Sequence, residues 1–196
     1  MLMVEPDPVR VEQALGTGGL SCPGCRGVVG PWGHAPRRLR GVQAAGRVRL
    51  RRGRCRACGV THVLLPVTAL ARRRDAVEVI GVALVAKAAG LGHRPIADEL
   101  GRPRSTVRGW LRRFAARAGS LRVQFTRLAY QLDAELGPIC PRPTLLAEAV
   151  EAIGVAAAAA ARRLGVADSP WQFAAGATGG WLLGAPGNTS GLLAAG

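Results

Sequence analysis

Two Cys-x-x-Cys pairs are the residues of this chain best suited to chemistry. The pairs, Cys22-Pro-Gly-Cys25 and Cys55-Arg-Ala-Cys58, each place two thiols in one tight turn. Zinc takes four tetrahedral ligands, and thiolate is one of the donors it prefers. The 29 residues between the pairs suit a zinc ribbon, whose knuckles sit on two hairpins, better than a finger with its roughly 15–20. The sequence predicts structural Zn²⁺ on Cys22, Cys25, Cys55 and Cys58, and such a closed site disfavours metal catalysis.

The cysteines and the nearby histidines also allow other roles. A redox dithiol needs a surrounding βαβ pattern, which the sequence does not display, and disulfides are not expected in a reducing compartment. His34 and His62 lie near the knuckles, and either could replace one cysteine as a ligand. A satisfied or exposed imidazole is the more frequent outcome for both. Cys140 stands between prolines and is expected to be a bystander thiol.

A helix-turn-helix is predicted between Ile96 and Leu111. Ala97 supplies the small residue needed where two helices cross, and Gly101, four positions later, supplies a turn residue that tolerates positive φ. Val107 and Trp110 stand at the offsets expected for the buried face of a recognition helix. Meeting these constraints together indicates a module that reads the major groove of DNA.

The outer face of the predicted recognition helix carries the candidate DNA contacts. Residues near the start of such a helix reach base edges, so base readout is predicted for Arg104, Ser105 and Arg108. Phosphate contacts position a protein without specifying sequence, and they are predicted for Arg102, Thr106, Arg112 and Arg113. For each arginine, a solvated surface charge is the alternative.

The charge balance favours a polyanionic partner. The chain has 196 residues, a net charge of +15 and 27 Lys plus Arg, of which Lys87 is the only lysine. Between Gln13 and Arg74 there is no Asp or Glu, yet thirteen arginines fall there. A solvated surface normally mixes signs, so this block indicates a binding patch within the cysteine module. Charge alone does not choose the polymer, and RNA is an alternative to double-stranded DNA.

The hydrophobic pattern divides the chain into segments and predicts a mainly α fold with a small β zinc ribbon. Two β-type runs, Arg47–Arg51 and Val60–Leu65, lie in the ribbon. The predicted segments are a weakly structured lead-in at 1–20, the ribbon at 21–66, a three-helix, homeodomain-like helix-turn-helix at 75–117, C-terminal helices at 120–164, and a Gly- and Ala-rich tail at 165–196.

Cap residues are predicted at the starts of three helices. Asp75 is expected to cap the first helix, Ser120 the fourth and Thr144 the fifth, which Gly165 would end. The fourth helix carries a leucine and phenylalanine stripe from Leu121 to Leu136. Packing of this stripe on the fifth helix is favoured, and a homodimer through it is the alternative.

No targeting or membrane signal is expected. The first ten residues lack an apolar h-region, and no run of 18 uncharged apolar residues is present. We therefore expect a cytoplasmic, nucleoid-associated protein whose thiols stay reduced.

The combined layout resembles a known group of proteins. It runs from Cys-Pro-x-Cys through Trp32-Gly33-His34 and Cys-Arg-x-Cys-Gly to Thr61–Pro66 and the Ser105-Thr-Val-Arg-Gly-Trp stretch. It resembles an uncharacterised bacterial family of zinc-ribbon, homeodomain-like proteins over residues 21–117. It is also similar to the N-terminal DNA-binding part of insertion-sequence transposases. The resemblance implies DNA binding in a mobile-element or transcriptional setting.

A non-enzymatic DNA-binding protein is the predicted function, with no small-molecule substrate evident. A truncated or accessory transposase component, or a small nuclease, is the enzyme alternative, and it needs a cluster of carboxylates. The acids that follow the motif lie on predicted helices and a tail, and there is too little chain for an RNase-H-like catalytic domain. A zinc-ribbon protein-interaction module is the third hypothesis. The acids are Asp133, Glu135, Glu148, Glu151 and Asp168.

Overall fold

The computed structural model describes residues 1–41, 45–165 and 168–184, where it has four strands and seven helices. In chain order these are β1 Leu2–Val4, α1 Pro8–Thr17, β2 Val29–Arg40, β3 Ala45–Cys55, β4 Thr61–Pro66, α2 Val77–Ala88, α3 His93–Glu99, α4 Arg104–Ala115, α5 Ala118–Leu132, α6 Leu145–Leu164 and α7 Pro170–Ala177. Along the chain the small sheet is followed by the helical bundle, in the predicted order of a β ribbon and then helices.

The strands form one sheet in the order β1-β4-β3-β2. β2 and β3 make a long antiparallel hairpin whose register runs from the Val29–Cys55 pair to the Arg40–Ala45 pair. β4 is antiparallel to β3, and it corresponds to the predicted run Val60–Leu65. The run predicted at Arg47–Arg51 lies within β3. The sequence reasoning missed β2, because its glycines and prolines read as turns rather than as a strand.

The lead-in is structured, and the prediction of a weakly structured segment at 1–20 is wrong. β1 adds a parallel strand to β4, with Leu2 opposite Leu64. The Asp7 side chain caps α1 by accepting a hydrogen bond from the Val9 amide at 2.9 Å. α1 buries Leu15 in the apolar cluster under the ribbon. β1 is stabilised by its pairing with β4, which lies more than fifty residues further along the chain. A local sequence pattern cannot reveal such a distant partner.

Helices α2 to α7 share one hydrophobic core. α2 buries Val77, Ile80 and Leu84 fully, whereas its other side leaves Val82 and Val85 exposed. α5 and α6 pack side by side, with the aromatic ring of Phe125 and the alanine-rich face of α6 inside the same cluster. The Leu121–Leu136 stripe thus packs within this chain, which is the arrangement favoured from sequence.

The helix caps follow the predictions in part. Thr144 caps α6 by accepting a hydrogen bond from the Ala147 amide at 3.2 Å, and Gly165 ends that helix at φ +64°. The prediction for Ser120 is wrong, because α5 begins at Ala118 and the Ser120 hydroxyl donates to the Arg117 carbonyl at 2.9 Å inside the helix. A serine near the start of a helix can cap the helix or, as here, donate to the backbone carbonyl three residues earlier. The sequence alone does not distinguish the two.

The first half of the predicted tail belongs to the core. α7 places Trp171 against α2, directly over Gly81. Ser169 and Gln172 both donate to the Glu78 carboxylate, which fixes the start of α7 on α2. Residues 166–167 and 185–196 of the predicted tail lie outside the described residues. Over the described ranges, no helix combines the length and apolarity that crossing a membrane requires.

Candidate nucleic-acid interface and metal centre

The four predicted zinc ligands converge. The Sγ atoms of Cys22, Cys25, Cys55 and Cys58 all lie within 4.8 Å of one another. The Cys22–Cys58 and Cys25–Cys55 sulfur separations are 3.8 and 3.4 Å. Tetrahedral zinc with Zn–S bonds of about 2.3 Å requires sulfur separations of about 3.8 Å. The arrangement is therefore compatible with zinc.

The two knuckles have the same backbone turn. In each, the first cysteine's carbonyl accepts a hydrogen bond from the amide four residues later, Arg26 to Cys22 at 2.8 Å and Gly59 to Cys55 at 3.0 Å. The donor residue adopts positive φ in both turns, +60° at Arg26 and +73° at Gly59. The turn wraps the backbone around its sulfurs and directs amides at them, which is how a Cys-x-x-Cys pair presents both thiols to one ion.

The sulfurs differ in how readily they ionise. The Cys25 amide, followed by other amides of the turn, lowers the pKa of Cys22 to about 7. The Cys58 amide likewise lowers the pKa of Cys55 to about 6. At Cys25 the Gly27 amide favours the thiolate, but the neighbouring thiols outweigh it and raise the pKa to about 12. Four such groups ionise together only around a cation, so the donor set fits Zn²⁺.

The two histidines near the knuckles have different environments. His62 is buried, and its Nε2 lies 3.3 Å from the Cys22 sulfur while Nδ1 lies 3.4 Å from the N-terminal amine of Met1. His34 is exposed on β2. His62 thus contacts the Cys22 sulfur from outside the cysteine cluster, in the position of an outer-shell group that orients a metal ligand. Over the described residues, the metal-ligating group consists of the four cysteines.

α2, α3 and α4 form the predicted helix-turn-helix. Ala97 is fully buried where α3 and α4 meet, and Gly101 adopts φ +58° in the turn. The Arg102 amide closes this turn on the Ala97 carbonyl at 3.0 Å. Val107 and Trp110 are buried on the inner face of α4, at 0 and 3 % exposure. The spacing seen in sequence thus corresponds to a folded motif.

The outer face of α4 is basic and accessible. Exposed there are Arg104, Ser105, Arg108, Arg112 and Arg113, while Thr106 is half-buried. Arg104 pairs with Asp98 at 3.1 Å, with both side chains 59 % exposed. A pair this exposed contributes about 0–1 kcal/mol, so Arg104 can exchange its partner for a base or phosphate at little cost.

Arg102 has a different environment from the other candidate contacts. It donates to the Asp75 carboxylate at 2.6 Å and to the carbonyls of Leu100 and Gly41 at 3.2 and 3.0 Å. Asp75 is buried and also accepts from Arg40 of β2 at 3.0 Å. The expectation that Asp75 caps α2 is wrong, since the helix has its N-cap at Ala76 without a side-chain bond. Asp75 instead ties the ribbon to the helix-turn-helix turn.

An exposed tryptophan on the ribbon was missed as a candidate site residue. Trp32 of β2 is 55 % exposed, and the Arg54 guanidinium lies 4.7 Å from its ring centroid. The sequence signal that could have found it is an aromatic residue inside the one-sign arginine block. A large aromatic ring under a guanidinium is a stacking surface for bases or for a protein partner.

The acids proposed for the enzyme alternative do not gather. Asp133 pairs with Arg162 at 2.7 Å, Glu148 with Arg122 at 3.5 Å, and Glu151 with Arg142 at 2.9 Å. Each of these three carboxylates is thus neutralised by its own arginine. In the described ranges these acids form no group able to hold a metal ion.

Comparison with known proteins identifies one part of the chain. Residues 74–122, which span α2 to the start of α5, match the family model of a homeodomain-like domain. No curated protein and no solved structure gives a significant match. The fold and the site together define a protein with a homeodomain-like helix-turn-helix domain, which suggests DNA binding, and with a cysteine cluster compatible with zinc.

Proposed function

We propose that this protein binds double-stranded DNA, with α4 as the recognition helix and a structural zinc ribbon as its support. This proposal rests on the two faces of α4. One face buries Val107 and Trp110, and the other exposes a row of arginines. The match of residues 74–122 to a homeodomain-like domain supports the same conclusion. In domains of this kind the third helix enters the major groove.

Within α4 we assign separate parts to the exposed residues. Arg104, Ser105 and Arg108 lie in the first turns and are proposed to read base edges. Thr106, Arg112 and Arg113 are proposed to contact phosphates. Arg102 is held by Asp75 and by backbone carbonyls, so we propose that it fixes the turn, with phosphate contact as its secondary part.

The biological setting is proposed at a coarser level. The function is taken to be non-enzymatic and nucleoid-associated, because Asp133, Glu148 and Glu151 each pair with an arginine and the candidate metal site consists of four cysteines. A transcriptional regulator and a transposon-associated protein both fit these features. Selection of the bound DNA sequence, followed by its location relative to genes or to mobile-element ends, separates the two.

The test is DNA binding by the zinc-loaded full chain across a salt series, with a random duplex library. If Arg102, Arg112 and Arg113 each neutralise one phosphate, log K should fall with log salt at a slope of about −2.7. Arg108→Ala should relax the enriched motif at one position and cost about 1–3 kcal/mol there. Arg112→Ala should weaken all sequences alike and reduce the slope by about one.

A matched control uses an arginine outside the homeodomain-like region. Arg127 of α5 is exposed and lies beyond residue 122, so Arg127→Ala removes the same charge without touching α4. If Arg108→Ala and Arg127→Ala lose the same amount of DNA affinity, the binding is non-specific charge attraction. Absence of any salt-dependent affinity would refute DNA binding altogether.

A second candidate function rests on Trp32. Its exposed ring under Arg54 favours an interaction surface on the ribbon. Trp32→Ala should leave zinc content and base preference unchanged. A drop in DNA affinity would show that the ribbon is a second nucleic-acid contact. Unchanged DNA affinity would favour a protein partner for the Trp32 surface.

A further inference from the structure

A basic cleft lies where three separate segments meet. The loop after β4, the α4–α5 junction and the segment after α7 line this cleft, whose volume is about 320 Å³. Its walls contain no Asp or Glu among the lining residues. The charged and aromatic members of the lining are Arg72, Arg73, Arg113, Arg117 and Trp181.

Arg117 is buried and Arg73 is half-buried, and within the described ranges each has an unpartnered Nε. Arg117 is 3 % exposed and donates from one Nη to the carbonyls of Trp181 and Leu182, the latter at 3.1 Å. The Nε atoms of Arg117 and Arg73 are buried, and neither has a partner among the described residues. A buried donor without an acceptor costs about 1–3 kcal/mol, and more for a charged group. The cleft thus brings charged donors together without a carboxylate among its lining residues to neutralise them.

Arg72 lines the same cleft. Arg72 adopts φ +58°, a left-handed conformation that a non-glycine residue rarely takes, and its guanidinium lies 5.5 Å from the Trp181 ring centroid. The Ala71 amide donates to the Gly180 carbonyl at 2.8 Å, which holds this loop against the segment after α7. Strained backbone of this kind clusters at ligand clamps.

The electrostatics of the cleft are those of a site for an anion. Burial lowers the pKa of Arg117. Burial, and then the nearby charge of Arg113, lowers the pKa of Arg73. Both shifts are directions that a bound anion would reverse. Guanidinium forks match the oxygens of phosphate bidentately, and a cavity this size lies at the lower end of small-molecule pockets, about 300–1,000 Å³.

We propose that this cleft binds a phosphate-bearing anion. Two sources offer the same chemistry, a free phosphate compound and a backbone phosphate of bound DNA, because Arg113 belongs both to the cleft and to α4. The cleft stands on its own residues, so a free phosphate compound can bind whether or not the chain binds DNA.

The first arm of the test uses inorganic pyrophosphate and no DNA. Calorimetric titration of the zinc-loaded full chain compares Arg72→Gln and Arg113→Gln with the control Arg74→Gln. Arg74 is exposed, adjacent in sequence and outside the cleft lining. If the anion is free, saturable 1:1 binding is expected, about tenfold weaker in each cleft variant and changed less than twofold in the control. A tenfold change corresponds to about 1.4 kcal/mol.

The second arm uses a 20-base-pair duplex with the same variants. If the source is DNA, Arg72→Gln should weaken duplex binding more than Arg74→Gln does and reduce the salt slope by about one. Pyrophosphate binding with duplex affinity unchanged in Arg72→Gln assigns a free phosphate compound. The proposal is overturned if neither pyrophosphate nor duplex affinity distinguishes Arg72→Gln from Arg74→Gln. Pyrophosphate binding in a chain that binds no duplex would refute the proposed function alone.

Discussion

Neutralising Asp75 should destabilise the protein far more than neutralising Asp98. The Asp75 carboxylate is 3 % exposed and is contacted by Arg102, 17 % exposed, and by Arg40, 37 % exposed. Removing one partner of a buried pair costs about 3–5 kcal/mol. Water reaches Arg40, so we take the lower end, about 3 kcal/mol. In a chain of this length each kcal/mol shifts Tm by about 2–4 °C, which gives a loss of about 6–12 °C for Asp75→Asn.

The assay is thermal and urea unfolding of the zinc-loaded chain, with Asp98→Asn as the matched control. Asp98 also faces an arginine, but both side chains of its pair with Arg104 are 59 % exposed, so its loss should stay within about 1 kcal/mol. Arg102→Gln introduced into Asp75→Asn should cost less than Arg102→Gln alone, because the two groups act as one unit. Equal effects of the two Asp variants, or full additivity of the Asp75 and Arg102 changes, would refute this reasoning.

Two further predictions concern the zinc site and the seat of α7. Cys55→Ser should abolish the binding of about one zinc per chain, measured by metal analysis, because the site loses one of four ligands. In the unsubstituted chain, zinc affinity should rise with pH even above neutrality, because binding removes the proton of the Cys25 thiol, whose pKa is about 12. It should fall more steeply as pH drops through about 7 and 6, where the Cys22 and Cys55 thiolates are reprotonated as well. Gly81→Ala should destabilise by about 1–3 kcal/mol in urea unfolding, since its Cβ would stand 2.3 Å from the Trp171 indole.

Controls for these predictions come from the same chain. Cys140→Ser changes an exposed cysteine outside the cluster and should leave the zinc content unchanged. Gly154 lies inside α6, and apart from the backbone of the helix itself no atom stands within 4 Å of an added Cβ. Gly154→Ala should therefore stabilise by up to about 1 kcal/mol through helix propensity. Zinc retained in Cys55→Ser, affinity rising toward acid pH, or a stabilising Gly81→Ala would each contradict the argument.

The sequence by itself determined the elements whose constraints are local. Two thiols separated by two residues must share a turn, and both knuckles of the structure have the same four-residue hydrogen bond. The helix-turn-helix follows from Ala97, Gly101, Val107 and Trp110 because a fixed helical period sets which of them meet. Thr144 and the glycine that ends α6 are likewise short-range signals.

Tertiary structure decided the features that join residues distant in the chain. Asp75 reads as a helix cap in sequence, but Arg102, 27 positions away, and Arg40, 35 positions away, take its carboxylate. A charged pair outweighs a single neutral amide as its partner, because charge-assisted bonds are the stronger ones. The cleft around Arg117 likewise exists only once α7 and the segment after it pack against the α4–α5 junction. Composition predicted the basic charge, and packing alone brought four of the arginines together around one cleft.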